Sequence, residues 1–100
     1  MTDKQITRLM QIVHEIEIDY CKFDKLIFTA GDVGNMHPGT VIVEASFEDD
    51  KGLIFEELIT LEELRAGTID NDTLHLPDGR DLRFHKSMVI PWEEFDTCES

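Results

Sequence analysis

The stretch from residue 73 to residue 84 constrains the fold of this chain most, because its turn residues fix a strand register. Residues 76–80 read Leu-Pro-Asp-Gly-Arg, which suits a three-residue loop with a type I turn and a left-handed glycine. The register predicted from this loop pairs Leu76 with Arg80, His75 with Asp81, Leu74 with Leu82, and Thr73 with Arg83. One face then carries the apolar residues Leu74, Leu76, Leu82 and Phe84, and the other face is polar. A two-residue Asp-Gly turn would shift the register and mix the faces, so the sequence favours the bulged turn.

Further strands are indicated by alternating apolar residues and turn signals. Residues 40–48 alternate clearly, the turn at 49–52 follows, and residues 53–59 complete a second hairpin. Residues 23–29 form a first strand, and the glycine-rich residues 31–40 form a loop. We predict a last short strand at residues 88–90, followed by a helical turn that begins at Pro91 and carries two aromatic residues.

Two helices are predicted. Residues 3–20 place apolar side chains at helical spacing, and Thr2 with Gln5 has the form of a capping box. Residues 14–20 also alternate, so a strand there is the competing interpretation. A second, short helix begins with another capping box at Thr60 and ends at Gly67, where we expect a left-handed residue.

Together these elements predict an α+β fold in a single domain spanning residues 1–100. We expect an antiparallel sheet of about five strands with the N-terminal amphipathic helix packed on one face, and a short helix between two hairpins. A small barrel of the same strands is the alternative. The N-terminal residues lack the apolar core of a signal peptide, and no apolar run is long enough to span a membrane, so we expect a cytoplasmic protein. Its two cysteines, Cys21 and Cys98, are then reduced thiols.

Acidic residues dominate the charge: 22 acids against nine bases give a formal net charge of −13. More than half of it lies in residues 44–63, where eight acids and one lysine leave −7. Such a surface favours a basic partner and repels nucleic acid and anionic lipid. The predicted partner-binding acidic residues are Glu44, Glu48, Asp49, Asp50, Glu56, Glu57, Glu62 and Glu63.

The sequence contains no recognisable catalytic signature, and we predict no catalytic residue, cofactor or metal site. Neither Ser46 nor Ser87 lies in a nucleophile elbow. The run at residues 70–72 begins like a calcium loop, but Leu74 and His75 stand where a ligand and a glycine are needed.

Two functions therefore compete. The first is a non-enzymatic interaction module, such as an inhibitor, an antitoxin or a nucleic-acid mimic, whose acidic face engages a basic protein. The second is a small-ligand-binding domain or small enzyme with its site at the 31–40 loop, at Asp32, Asn35 and His37. Trp92 and Phe95 form a candidate aromatic anchor. A homodimer would form through the helix, a sheet edge or these aromatic residues, because an acidic face repels its own copy.

Overall fold

The computed structural model describes residues 1–86, and these form an α+β fold with two antiparallel sheets. The predicted fold class is confirmed, although the strands divide between a five-stranded and a three-stranded sheet. The helices are α1 (Asp3–Ile12) and α2 (Leu61–Ala66). The strands are β1 (Val13–Ile18), β2 (Cys21–Phe23), β3 (Lys25–Phe28), β4 (Val41–Glu48), β5 (Ile54–Thr60), β6 (Thr68–Asp70), β7 (Thr73–His75) and β8 (Asp81–Lys86). The larger sheet has the order β2-β1-β8-β7-β6 and the smaller one β3-β4-β5. The strand predicted at 88–90 and the helical turn at Pro91 lie outside the described residues.

Helix α1 begins as predicted but is shorter than predicted. The capping box is present, with the Gln5 amide donating to Thr2 Oγ1 at 3.2 Å and the Thr2 amide donating to Gln5 Oε1 at 3.0 Å. The helix ends at Ile12, and residues 13–18 form β1 between β2 and β8. Residues 13–18 form a strand rather than a helix because the strand buries Ile16 and Ile18 and pairs with β2 on one edge and β8 on the other.

The predicted strand over residues 23–29 is in fact parts of two strands. β2 ends at Phe23 in the larger sheet, and β3 begins at Lys25 in the smaller one, so the chain changes sheet at Asp24. β1 and β2 are joined by Asp19 and Tyr20, whose φ angles are +49° and +73°. These values describe a tight hairpin turn that normally selects glycine or asparagine.

The two predicted hairpins are confirmed. β4 pairs with β5 around the turn at residues 49–53, and β7 pairs with β8 in the register derived from the loop sequence. In that loop the Leu76 amide donates to the Arg80 carbonyl at 2.9 Å, and Gly79 has a φ of +98°. The bulged turn therefore places Leu74, Leu76, Leu82 and Phe84 in the core, as expected.

Helix α2 has the predicted capping box, but the role expected of Gly67 is wrong. Gly67 has a φ of −72° and a ψ of 156°, which is extended backbone open to any residue. A Cβ atom there would lie 2.8 Å from Leu74 Cδ1. Glycine is needed because the chain passes close to Leu74, and its conformational freedom is not used.

The core lies between the two sheets and the helices. It joins Ile6 and Leu9 of α1, Ile59 of β5, Leu61 and Leu64 of α2, and the inward residues of both sheets in one cluster. Each sheet consequently turns its other side to solvent, and these two solvent-facing sides carry the candidate sites.

Candidate functional site

The solvent-facing side of the smaller sheet arises directly from the alternation of β4. Val43, Ala45 and Phe47 point toward the core, so Glu44 and Glu48 point away from it. The strand register continues this division across β3 and β5. We call this surface the outer face; it consists of Lys25, Ile27, Glu44, Ser46, Glu48, Ile54, Glu56 and Leu58.

Apolar and acidic side chains are interleaved on the outer face. Ile27, Glu44 and Leu58 form one row across the three strands, and Glu48 lies opposite Ile54. Ile27, Ile54 and Leu58 are 65%, 67% and 52% exposed. Glu44 separates Ile27 from Leu58, and Glu56 separates Leu58 from Ile54, so exposed aliphatic and acidic side chains alternate across the outer face.

The carboxylates of the outer face are uncompensated. Within residues 1–86, neither Glu44, Glu48 nor Glu56 makes an ion pair or a side-chain hydrogen bond. Three carboxylates and the ammonium of Lys25 leave this face at −2. Its acids are thus free to attract cationic groups from another molecule.

Other members of the predicted acidic set lie elsewhere. Asp49 builds the β4–β5 turn, because its Oδ1 accepts hydrogen bonds from the amides of Lys51 and Leu53, both at 2.9 Å. Asp50 is exposed in the same turn, and Glu62 is exposed in the first turn of α2. The structure therefore brings together only Glu44, Glu48 and Glu56 on a sheet face, with the two aspartates at its end.

Glu57 and Glu63 bind Arg80, a cation that no sequence pattern singles out. Its guanidinium donates to Glu57 Oε1 at 2.9 Å, to Asp78 Oδ2 at 2.9 Å and to Glu63 Oε2. The amide and guanidinium of Arg80 also hold the pKa of Asp78 below its usual value. Its two glutamate partners are 17 and 23 residues away in the chain, so no local pattern reveals this cluster.

The alternative ligand loop uses its polar groups to stabilise itself. Asp32 accepts hydrogen bonds from the Gly34 amide at 3.0 Å and from Asn35 Nδ2 at 3.2 Å. His37 Nδ1 accepts from the Gly39 amide at 2.9 Å. These contacts shape the loop around a short 3₁₀ turn at Val33–Asn35. The other candidate anchor, Trp92 and Phe95, lies outside the described residues.

The solvent-facing side of the larger sheet is polar throughout. His85 Nε2 lies 2.7 Å from Glu17 Oε1, and His75 Nδ1 lies 2.8 Å from Asp81 Oδ1, as the predicted register of the second pair requires. The hydrogen bond with His85, assisted by nearby cations, lowers the pKa of Glu17. A groove of about 200 Å³ next to these residues is lined by Glu17, Asp19, Tyr20, Thr73, Asp81 and Arg83. Carboxylates here have imidazole or guanidinium neighbours, which distinguishes this surface from the outer face.

Within residues 1–86, no cluster of three or more histidine, cysteine or acidic side chains has a geometry that could hold a metal ion. None of the helices in the same part of the chain is long and apolar enough to cross a membrane. Comparison with family models, with curated proteins and with solved structures finds no match to this chain.

Proposed function

We propose that this protein is a non-enzymatic interaction module that binds a basic protein partner through its outer face. The observation that carries the proposal is the presence, on one sheet face, of three exposed aliphatic side chains among three carboxylates that have no ion-pair partner within residues 1–86. Burial of Ile27, Ile54 and Leu58 would supply affinity, since each square ångström of apolar surface removed from water contributes about 25 cal/mol. The carboxylates would select and steer a cationic partner.

Charge also argues against a second copy of this chain as the partner. A symmetric interface between two outer faces would oppose the same acidic residues, each copy bringing −2 on the face and −13 in total. A partner with lysine or arginine residues beside apolar ones satisfies both components of the surface. Asp49 and Asp50 extend the acidic edge at the hairpin turn.

The test compares matched double variants in affinity capture from the source lysate, at low and at high salt. Glu44→Gln with Glu56→Gln removes two charges from the outer face, and Glu62→Gln with Asp70→Asn removes two exposed charges elsewhere. Proteins retained by the wild type are identified by mass spectrometry, and their affinity for each variant is then measured with purified material.

We expect the outer-face pair to weaken binding roughly 2- to 30-fold, at about 0.2–1 kcal/mol per exposed charge pair, and the control pair to have little effect. High salt should weaken wild-type binding as well, because the screening length falls from about 10 Å at 0.1 M to about 3 Å at 1 M. Leu58→Ser should reduce binding and cost less stability than the loss of a buried leucine, because the side chain is already half exposed. Equal retention of the same proteins by both double variants would refute the proposal.

A further inference from the structure

Strand β5 has an open edge. It is the outermost strand of the smaller sheet, and within residues 1–86 no strand pairs with its other side. Short strands protect the other three edges, because β2 and β6 have three residues and β3 has four, whereas β5 has seven. β5 is therefore the edge at which another chain has most room to pair.

The register identifies the backbone groups that this edge presents. The Asp49 amide donates to the Leu53 carbonyl at 2.9 Å, which makes residues 49 and 53 a hydrogen-bonded pair. In an antiparallel ladder such pairs alternate, so residues 55, 57 and 59 direct their backbone groups toward β4. The amides and carbonyls of Ile54, Glu56 and Leu58 consequently face away from β4, toward the open edge.

A contact of Arg80 with Leu58 agrees with this orientation of the backbone groups and shortens the part of the β5 edge that is open. Its Nη1 donates to the Leu58 carbonyl at 3.3 Å, and Glu57, Glu63 and Asp78 hold the guanidinium in place. The edge is thus closed by a cation at Leu58. What stays open is the stretch from Ile54 to Glu56.

Exposed apolar side chains flank the open stretch on both sides of the sheet. Leu53, Ile54 and Phe55 are 58%, 67% and 45% exposed, although they are consecutive in the chain. Ile54 belongs to the outer face, whereas Phe55 lies on the opposite side and stacks on Phe47 with ring centroids 4.9 Å apart. A strand added here would find apolar contacts above and below itself.

We infer that the basic partner binds as an extended segment that adds to β5 as a fourth strand of the smaller sheet. This inference rests on the proposed function and specifies its binding mode, in which main-chain hydrogen bonds give affinity and alternating side chains give specificity. Cationic residues of the segment lie on the side of Glu56 and the outer face, and apolar residues lie on the side of Phe55. A second copy of β5 fits poorly, because self-pairing brings Glu56 and Glu57 of two strongly acidic chains together.

The probe is a short synthetic peptide that alternates lysine and valine, and the control peptide has the same charge with prolines in place of two valines. Proline removes amide donors and cannot extend the ladder. Amide hydrogen exchange of the full chain is followed residue by residue with and without each peptide. We expect the alternating peptide to slow exchange at Ile54 and Glu56 by about tenfold or more, with little change at Phe55 and Glu57, which already bond to β4. No slowing at Ile54 and Glu56 with this peptide would overturn the inference.

A substitution at Ile54 provides a second test of strand addition. Ile54→Pro removes an edge donor without removing a bond to β4, and Ile54→Val is its control because it keeps the amide. We expect Ile54→Pro to abolish the preference for the alternating peptide and Ile54→Val to keep it. If both peptides bind equally to the wild type, and Glu44→Gln with Glu56→Gln weakens both, the strand-addition mode is wrong while the proposed function stands. The capture experiment above judges the proposed function separately.

Discussion

Replacing Gly67 by alanine tests how closely α2 and β7 are packed. A Cβ atom at this position would lie 2.8 Å from Leu74 Cδ1, 3.0 Å from Leu74 Cγ and 3.3 Å from the His75 carbonyl oxygen. The backbone conformation of Gly67 suits alanine, so the added methyl group acts only through these contacts. Leu74 is fully buried and cannot move its side chain into solvent.

The expected cost follows from two opposing contributions. Forcing an extra methyl group into a packed core costs about 1–3 kcal/mol. Alanine also restricts the unfolded chain, which returns about 0.4–1 kcal/mol when the native backbone is compatible. We therefore expect Gly67→Ala to lower the free energy of unfolding by about 1–2 kcal/mol.

Urea denaturation followed by far-ultraviolet circular dichroism measures this loss, and a double-mutant cycle identifies its origin. In a Leu74→Ala background the two closest contacting atoms are gone and only the His75 carbonyl oxygen at 3.3 Å remains, so Gly67→Ala should cost much less than in the wild type. Gly79→Ala is the control, because Gly79 has a φ of +98° and open space around it, so its backbone strain is the same in both backgrounds. An unchanged cost of Gly67→Ala in the Leu74→Ala background would refute the steric explanation.

Three further predictions concern strain, ion pairing and pH. Tyr20→Gly should raise the free energy of unfolding by about 0.5–1 kcal/mol in urea titrations, because a left-handed residue with a side chain is strained and glycine is not. The Tyr20 side chain is 97% exposed, so it has no packing to lose, and a decrease would contradict this reading. Arg80→Met should lower the melting temperature and cost about 2–3 kcal/mol. This is below the range for a fully buried ion pair, because the Arg80 side chain is 19% exposed. Arg80→Lys should not restore the stability, because lysine lacks the planar guanidinium. The folded pKa of Glu17 is lowered from 4.5, so the stability it contributes is present above that pH and is lost as the pH falls through the folded value. Glu17→Gln should therefore flatten the decline in stability as the pH falls below 4.5, and an unchanged slope would show that the hydrogen bond with His85 contributes nothing.

The features that depend on residues close together in the chain were predicted correctly from the sequence. The β7–β8 register followed from the turn residues 76–80 together with the apolar alternation of the flanking strands, which excludes the two-residue turn. Both helix starts followed from capping boxes. Interactions within a few residues are sufficient for each of these features.

The predictions were wrong where contacts between segments distant in the chain determine the local structure. Residues 13–18 satisfy both a helical and a strand pattern, and the choice depends on β8, which lies at the other end of the described chain. The change of sheet at Asp24 and the packing of Gly67 against Leu74 likewise depend on tertiary neighbours. Turn sequences identified the strands that pair in hairpins, but no sequence pattern indicated which strands distant in the chain become adjacent.

The negative charge of the candidate site could be predicted from the sequence, but its position in the fold could not. The acidic run from 44 to 63 is plain, yet only the sheet order separates Glu44, Glu48 and Glu56 from the glutamates that Arg80 binds. The spacing of Ile54, Glu56 and Leu58 did contain a signal that apolar and acidic side chains share one face of β5. Whether another element of the fold covers that face depends on the sheet order, which the spacing does not reveal.

The position of β1 in the larger sheet has a consequence for folding during synthesis. β1 pairs with β8, and the contact between Glu17 and His85 spans 68 residues. Until β8 has been synthesised, β1 has only the short strand β2 beside it, and Ile16 and Ile18 lack their partners Phe84 and Leu82. The larger sheet therefore cannot be completed before β8 is available, and the pairing of β1 with β8 requires the entropically costly closure of this long loop. A nascent chain that stops before residue 81 would leave an apolar strand unpaired and prone to association with other chains.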